Sequence, residues 1–149
     1  MELTIERWMK LTVHTVKPLD SVAHARALLE EHRINQLPVV QNGKLVGIVT
    51  DRDLRDAGRA VEIAASAASG HATKVDPERI AVESVMTSNV MTLKPTDTIE
   101  QAAELMRRER FGAIPIVEKG TLRGILTRSD LLAVLLAMSR RMRQEGGVT

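Results

Sequence analysis

The sequence predicts an α+β fold made of two β-α-β-β-α repeats that pack with pseudo-two-fold symmetry. The stretch GIVTDRD at residues 47–53 returns as GILTRSD at residues 124–130, an offset of 77 residues. The same offset aligns the 50 positions 5–54 without a gap and gives 19 identities. A repeat of about 50 residues is close to the size at which a core becomes marginal alone, so the two repeats are expected to share one core or to pack face to face.

In the second repeat, the apolar residues 90–93 predict a short strand that ends before Pro95, because proline removes a backbone donor. A helix is predicted to follow, with Asp97 as its N-cap and Glu100 three residues later. Its apolar positions recur at helical spacing, and they are Ile99, Ala102, Ala103 and Met106.

Two further strands are predicted at residues 113–117 and 122–126, joined by a turn at Lys119 and Gly120. The first repeat carries Asn-Gly at the same place, residues 42–43, and this dipeptide is the strongest short hairpin signal. Thr127 is expected to open the last helix of the repeat.

The segment between the repeats contains Asp76 and Pro77, which predict the start of a helix over residues 78–86. The linker is therefore expected to be partly helical. The predicted division is repeat 1 at residues 5–57, linker at 58–81, repeat 2 at 82–138, and a basic, disordered tail at 139–149.

Composition argues against several classes of protein. Cysteine is absent, which excludes disulfides and cysteine-ligated metal and is compatible with the cytoplasm expected for this chain. The longest wholly apolar run is eight residues, too short for a membrane span. The composition gives little support to nucleic-acid binding, since the net charge is only +2 and the chain has one Trp, one Phe and no Tyr. The one feature that favours this function is the basic tail around residues 140–143.

The repeated Thr-x-x-Asp admits two interpretations. As structure alone, Thr50 and Thr127 are N-caps, and Asp53 and Asp130 complete capping boxes worth about 1 kcal/mol per helix. As a binding site, a helix N-terminus suits a phosphate, while an Asp one turn later can accept hydrogen bonds from a ribose diol. This pattern therefore matches a nucleoside phosphate. Gly47 and Gly124 are expected to serve close backbone packing and not a phosphate cradle.

These motifs resemble those of the CBS-domain family, in which two repeats form a tandem pair called a Bateman module. The resemblance rests on the order of elements, Val82-x-x-x-Met86, the Leu-Pro-Val-Val and Ile-Pro-Ile-Val strands, and the paired Gly-Ile-x-Thr-x-x-Asp, and it covers about residues 5–138. It implies a regulatory, non-enzymatic module that binds AMP, ADP or ATP in the cleft between its repeats and signals to an unknown partner protein. No required cofactor is implied.

Carried over residue by residue, the resemblance implies that the Thr approaches phosphate, the Asp holds the ribose, and the residues before the Pro-Val strand contact the base. The implied nucleotide-binding residues are Thr50, Asp53, Lys17, Val22, Gln36 and Leu37 in the first repeat, and Thr127, Arg128, Asp130, Lys94, Ile99, Ala113 and Ile114 in the second. Asp51 follows Thr50 where Arg128 follows Thr127, so charge favours the second site for a phosphate.

Other chemistry finds little support. His24 and His32 are eight residues apart on one predicted helix, about 12 Å by helical rise, which is too far to share a metal ion. No nucleophile stands beside a base in a recognisable pattern. The run LLAVLLAM, from Leu131 to Met138, would be apolar on every face of a helix, which implies a contact with a partner, and in the resembled family such helices form homodimers. A ligand-free dimerisation module therefore stays open as an alternative.

Overall fold

The structure, a computed structural model, describes residues 2–70 and 76–147. The chain divides into two compact units. The first-repeat unit comprises His14–Val90, and the second-repeat unit combines residues up to Val13 with residues from Met91 onward. Both units follow the same order of helix, two strands and helix, which confirms an α+β fold of two repeats.

Each unit is built around one antiparallel hairpin with a helix on either side in sequence. The first-repeat unit contains α1 (Val22–His32), β1 (Gln36–Gln41), β2 (Lys44–Thr50) and α2 (Asp51–Ser69), followed by 3-10 turns at Pro77–Arg79 and Val82–Ser84. The second-repeat unit contains a 3-10 turn at Ile5–Arg7, then α3 (Ile99–Glu109), β3 (Ala113–Glu118), β4 (Thr121–Thr127) and α4 (Arg128–Gly146).

The two hairpins turn as predicted. Asn42 and Gly43 have φ of 51° and 79°, and Lys119 and Gly120 have φ of 52° and 79°. Positive φ at both central residues matches the twist of the flanking strands and is tolerated best by Gly and Asn. Both hairpins also shift register at the same relative position, between Val39 and Val40 and between Ile116 and Val117.

The predicted N-cap of α3 is wrong by one residue. Thr98 is the N-cap, and it forms a reciprocal capping box with Gln101. Asp97 instead accepts a hydrogen bond at 2.8 Å from the backbone N–H of Lys94, which closes the turn before the helix. Two adjacent residues are competent caps, and the turn uses the earlier one.

The strand predicted at residues 90–93 is also wrong. Leu93 makes only an isolated parallel bridge to Ile116, with its carbonyl accepting from the N–H of Val117 at 2.9 Å. Val16 makes the equivalent bridge to Val39. Proline follows two residues after each bridge, and it has no N–H with which to continue the pairing.

The linker differs from its prediction at both ends. Helix α2 continues through Ser69, so the boundary predicted at residue 57 lies inside a helix. Residues 78–86 do not form one helix, because Ile80 and Ala81 are extended between the two 3-10 turns. The Ile80 carbonyl accepts from the N–H of Val22 at 2.8 Å, and this contact with the start of α1 replaces helical hydrogen bonds.

The tail predicted to be disordered is helical as far as Gly146. Its residues are mostly good helix formers, and Arg141 pairs with Glu145 one turn later at 3.0 Å. Residues 148 and 149, which belong to the same prediction, lie outside the described part of the chain.

The first residues of each repeat, its lead segment (residues 5–10 and 82–87), pack in the unit named after the other repeat. Ile5 is completely buried in the second-repeat core, and its N–H donates to the carbonyl of Asp97 at 2.9 Å. Val82, its counterpart 77 residues on, is completely buried in the first-repeat core, and its N–H donates to the carbonyl of Asp20 at 2.8 Å. Each core therefore contains a lead segment that belongs in sequence to the start of the opposite repeat.

Candidate functional site

The Thr50 and Asp53 side chains lie where β2 passes into α2. The N–H of Thr50 donates to Oδ2 of Asp53 at 3.0 Å, and the N–H of Asp53 donates to Oγ1 of Thr50 at 3.1 Å. Within the described ranges, Oδ1 of Asp53 has no hydrogen-bond partner. The carboxylate therefore completes a capping box with one oxygen and keeps the other available as an acceptor.

The hairpin register brings the predicted base-contacting residues to the same end. Gln36 lies opposite Thr50, and Ala113 lies opposite Thr127. The next N–H along the chain then bonds across the hairpin, from Asp51 to the carbonyl of residue 35 at 2.8 Å and from Arg128 to the carbonyl of residue 112 at 3.1 Å. The open end of each hairpin thus places its Thr, its Asp and the start of the Pro-containing strand together.

The second Thr-x-x-Asp pair has an additional partner. Oδ2 of Asp130 accepts from the N–H of Thr127 at 2.7 Å and from its Oγ1 at 2.9 Å. Oδ1 of Asp130 accepts from Nζ of Lys10 at 2.6 Å, and the same ammonium lies 3.1 Å from Oγ1 of Thr127. Both oxygens of this carboxylate are engaged, unlike those of Asp53.

Sequence reasoning missed Lys10. Its backbone pairs reciprocally with Ile125 on β4, through hydrogen bonds of 2.9 and 3.0 Å, and this pairing carries the side chain to Asp130. In the first-repeat unit, Thr87 pairs with Ile48 in the same way but has no charge to offer. The 77-residue offset, which aligns Lys10 with Thr87, was the available signal.

Gly47 and Gly124 serve close packing, as expected. A Cβ on Gly124 would lie 2.7 Å from the carbonyl oxygen of Lys10 and 2.9 Å from the sulfur of Met9. A Cβ on Gly47 would lie 2.5 Å from the sulfur of Met86 and 3.0 Å from the carbonyl oxygen of residue 87. The glycines let the lead segment approach the strand next to the site.

The side chain of Arg128 is bound to the end of α3. Its guanidinium donates to the carbonyls of Phe111 at 3.2 Å and Arg110 at 3.3 Å, at the end of α3. In the first-repeat unit, Arg55 pairs with Asp51 at 3.1 Å. Asp51 and Arg128 therefore each have a local partner, and the preference for the second site stays a prediction.

Five predicted site residues contribute side chains to the cores and not to the surface. Their side chains are buried, and each residue is at most 7% exposed. These residues are Val22, Leu37, Ile99, Ala113 and Ile114.

Lys17 and Lys94 occupy equivalent turns before α1 and α3. Their backbone N–H groups donate to Oδ2 of Asp20 and of Asp97, both at 2.8 Å. Both lysines are exposed, so their ammonium groups are free to reach an anion.

The histidines of the described ranges form no cluster with acids of the kind that binds a metal ion. Among residues 2–70 and 76–147, no group of three or more His, Asp or Glu side chains could hold a metal ion. His14 and His32 instead stack their rings with centroids 3.5 Å apart, and His71 lies outside the described residues.

No helix in the described part of the chain is long and apolar enough to span a membrane.

Helix α4 carries an apolar surface on its outer side. Val134 is buried, whereas Leu132, Leu135 and Leu136 are 60%, 58% and 55% exposed. The predicted run from Leu131 to Met138 thus uses one side for its own core and leaves the other uncovered within the chain.

Known proteins resemble this chain along most of its length. The profile of the CBS domain matches residues 5–60 and 82–137. A CBS domain-containing protein of Dictyostelium discoideum is 33% identical over 139 residues, which cover 91% of this chain and 93% of that protein. An inosine-5'-monophosphate dehydrogenase of Korarchaeum cryptofilum is 36% identical over 120 residues, covering 80% of this chain but only 21% of the enzyme.

Solved structures show the same likeness. The crystal structure of the Arabidopsis thaliana CBS-pair protein CBSX2 in complex with AMP has a TM-score of 0.77 and 30% sequence identity. The superposed residues cover 93% of this chain and 99% of the CBSX2 chain. Two matches to the family profile, a relative of nearly equal length and a shared fold lead to one conclusion: this chain belongs to the CBS-domain family and is a pair of CBS repeats.

Proposed function

We propose that this protein is a regulatory module that binds an adenine nucleotide, AMP, ADP or ATP, and signals its presence to a partner protein. It makes and breaks no covalent bond. The observation that carries the proposal is the acceptor oxygen of Asp53 at the N-terminus of α2, with a second Thr-x-x-Asp pair at the N-terminus of α4.

The chemistry of this arrangement suits a nucleotide. The first N–H groups of a helix and its positive dipole end favour a phosphate, and an ionised carboxylate accepts strong hydrogen bonds from hydroxyl groups. The AMP complex of CBSX2, at 30% identity, supports adenosine as the nucleoside. The choice among AMP, ADP and ATP, and the cytoplasmic location, stay predictions.

Calorimetric titration with AMP, ADP, ATP, NAD and S-adenosylmethionine tests the proposal. At least one adenine nucleotide should bind and should stabilise the protein by about 2.7 kcal/mol at a hundredfold excess over its Kd. The matched control is the double variant Asp53→Asn, Asp130→Asn, which keeps side chains of the same size and should lose this binding. Failure of all three nucleotides to bind the parent protein at millimolar concentration would reject the proposal.

A ligand-free module is the second candidate. Both Asp side chains already complete helix caps without a ligand, so their presence is explained by structure alone. If no nucleotide binds the parent protein, this second candidate is preferred. Equal binding to the parent and to the double variant would instead show that both Asp residues serve as helix caps alone and that the nucleotide binds elsewhere.

We further propose that the protein is a homodimer through α4. Leu132, Leu135 and Leu136 expose apolar side chains next to one another on this helix, and burial against a second copy would remove them from water. Light scattering should give the mass of a dimer, and Leu135→Glu should give a monomer. Leu19→Glu, at an exposed leucine outside α4, is the control and should stay dimeric. A parent protein that is monomeric at tens of micromolar would contradict the proposal.

A further inference from the structure

Lys10 forms an ion pair with Asp130, the acid of the second-repeat site. Its ammonium is 2.6 Å from Oδ1 of Asp130 and 3.1 Å from Oγ1 of Thr127, the two side chains of the repeated motif. The Asp130 side chain is only 12% exposed, whereas that of Lys10 is 50% exposed. The lysine therefore approaches from the solvent side and covers the oxygen that Asp53 keeps available in the other unit.

Within residues 2–70 and 76–147, a charged group touches the acid in the second-repeat unit, and no charged group touches Asp53. Lys10 and Thr87 occupy equivalent places, each paired through its backbone with the strand that leads to the motif. The two residues thus share the same backbone pairing and differ in the charge of their side chains. A ligand that uses Asp130 meets an ammonium group, and a ligand that uses Asp53 meets no such group from residue 87.

We infer that Lys10 makes the second-repeat site selective for ligands that carry a phosphate and against neutral nucleosides. This inference rests on the proposed nucleotide-binding function. A neutral nucleoside must separate Asp130 from Lys10 before its ribose can use the carboxylate, and it offers the ammonium no anion in exchange. A nucleoside phosphate brings its own anion, which Lys10 can bind while the ribose takes its place on Asp130.

The exchange is geometrically accessible because the hydrogen bonds of the Lys10 side chain are made by its ammonium group, while the backbone stays paired with Ile125. Half of its side chain is exposed, and a four-carbon stem gives the ammonium several positions within reach. The cap itself does not depend on the lysine, since Oδ2 of Asp130 retains both bonds from Thr127. Displacement of Lys10 therefore leaves the start of α4 intact.

The test compares the affinities for adenosine and for AMP in variants that keep only one of the two sites. Asp53→Asn removes the first-repeat site, and Lys10→Thr is then added, which installs the residue that the other unit carries. Adenosine should bind about five- to tenfold more tightly after this change, and the preference for AMP over adenosine should fall at least tenfold. Lys10→Met, which keeps most of the aliphatic stem and removes the charge, should give the same result if Lys10→Thr disturbs folding.

The reciprocal change is the matched control. In an Asp130→Asn background, Thr87→Lys should raise the preference for AMP at the first-repeat site. Salt gives a second readout, because added salt weakens the Lys10–Asp130 pair, so adenosine should bind the Lys10 protein better at higher ionic strength and the Lys10→Met protein no better.

A preference for AMP that changes less than twofold in both Lys10 variants overturns this inference and leaves the proposed function standing. Absence of binding by either ligand to the parent protein overturns both. These two failures are distinguished by the parent titration alone.

Discussion

Alanine at Gly124 is expected to destabilise the protein more than alanine at Gly47, although the two glycines are equivalent by repeat. Neither has a positive φ, so the effect must come from the space that a Cβ needs. At Gly124 the nearest atom is the Lys10 carbonyl oxygen at 2.7 Å, a backbone atom. At Gly47 the nearest atom is the Met86 sulfur at 2.5 Å, the far part of a flexible side chain.

The loss in free energy of unfolding depends on which atoms must move to make room for the new Cβ. The Lys10 carbonyl is tied to the N–H of Ile125 at 3.0 Å, so moving it strains or breaks a backbone pair. Overpacking of this kind costs about 1–3 kcal/mol, and a lost hydrogen bond adds about 1 kcal/mol. The reduced entropy of the unfolded chain returns about 0.4–1 kcal/mol in both variants. We expect a net loss of about 1–3 kcal/mol for Gly124→Ala and below about 1 kcal/mol for Gly47→Ala, because Met86 can rotate away.

Urea unfolding followed by circular dichroism and by fluorescence measures these losses. Trp8 is the single tryptophan and packs against the second-repeat core, so its fluorescence reports the unit that contains Gly124. For a chain of this length, each kcal/mol also lowers Tm by about 2–4 °C. Gly124→Ala should shift the Trp8 transition to lower urea, and Gly47→Ala should shift it little.

Second substitutions separate backbone from side-chain clashes. Met86→Ala should relieve most of the cost of Gly47→Ala in a double-mutant cycle, because it removes the nearest atoms. Met9→Ala should relieve Gly124→Ala only in part, because the Lys10 oxygen stays in place. Equal losses for the two alanine variants, or complete rescue of Gly124→Ala by Met9→Ala, would refute the reasoning.

Three further predictions concern the caps and the tail. Asp130→Asn should lower the free energy of unfolding by about 0.5–1 kcal/mol more than Asp53→Asn, because only Asp130 loses an ion pair, and chemical denaturation without ligand would measure the difference. Thr98→Ala should cost about 1 kcal/mol as the loss of the α3 N-cap, and an unchanged urea midpoint would contradict this assignment. Removal of residues 140–149, whose described side chains are exposed, should leave nucleotide affinity unchanged, whereas salt-sensitive binding of DNA or RNA that disappears with the tail would favour a nucleic-acid function.

The order of helices and hairpins could be predicted because their signals are local, whereas the strand predicted before each first helix is only an isolated bridge. Asn42-Gly43 and Lys119-Gly120 need positive φ that few dipeptides accept, and the apolar runs around them fix the strands. The N-cap of α3 was harder, since Asp97 and Thr98 are adjacent and both can cap. Only the hydrogen bond from the Lys94 N–H to Asp97 decides between them, and it depends on the turn before the helix.

The parts that escaped prediction depend on contacts between distant residues. The offset of 77 shows which residues correspond, but correspondence does not say which copy of the repeat a lead segment packs against. Lys10 and Asp130 are 120 positions apart, and nothing near either residue signals the ion pair. The fold of each repeat and the exchange of Asp51 for Arg128 were therefore accessible from the sequence, while the pairing of Lys10 with Asp130 was not.

The exchange of lead segments sets an order for folding during synthesis. The first-repeat unit is continuous, so all of its residues are available once Val90 has left the ribosome. Residues 5–10 are made earlier, yet Lys10 must wait for Ile125, which at about 5–20 residues per second takes roughly 6–23 s. During that interval the core that buries Ile5 in the native structure is not yet complete. Residues 5–10 are therefore translated long before the second repeat but reach their native contacts only after it.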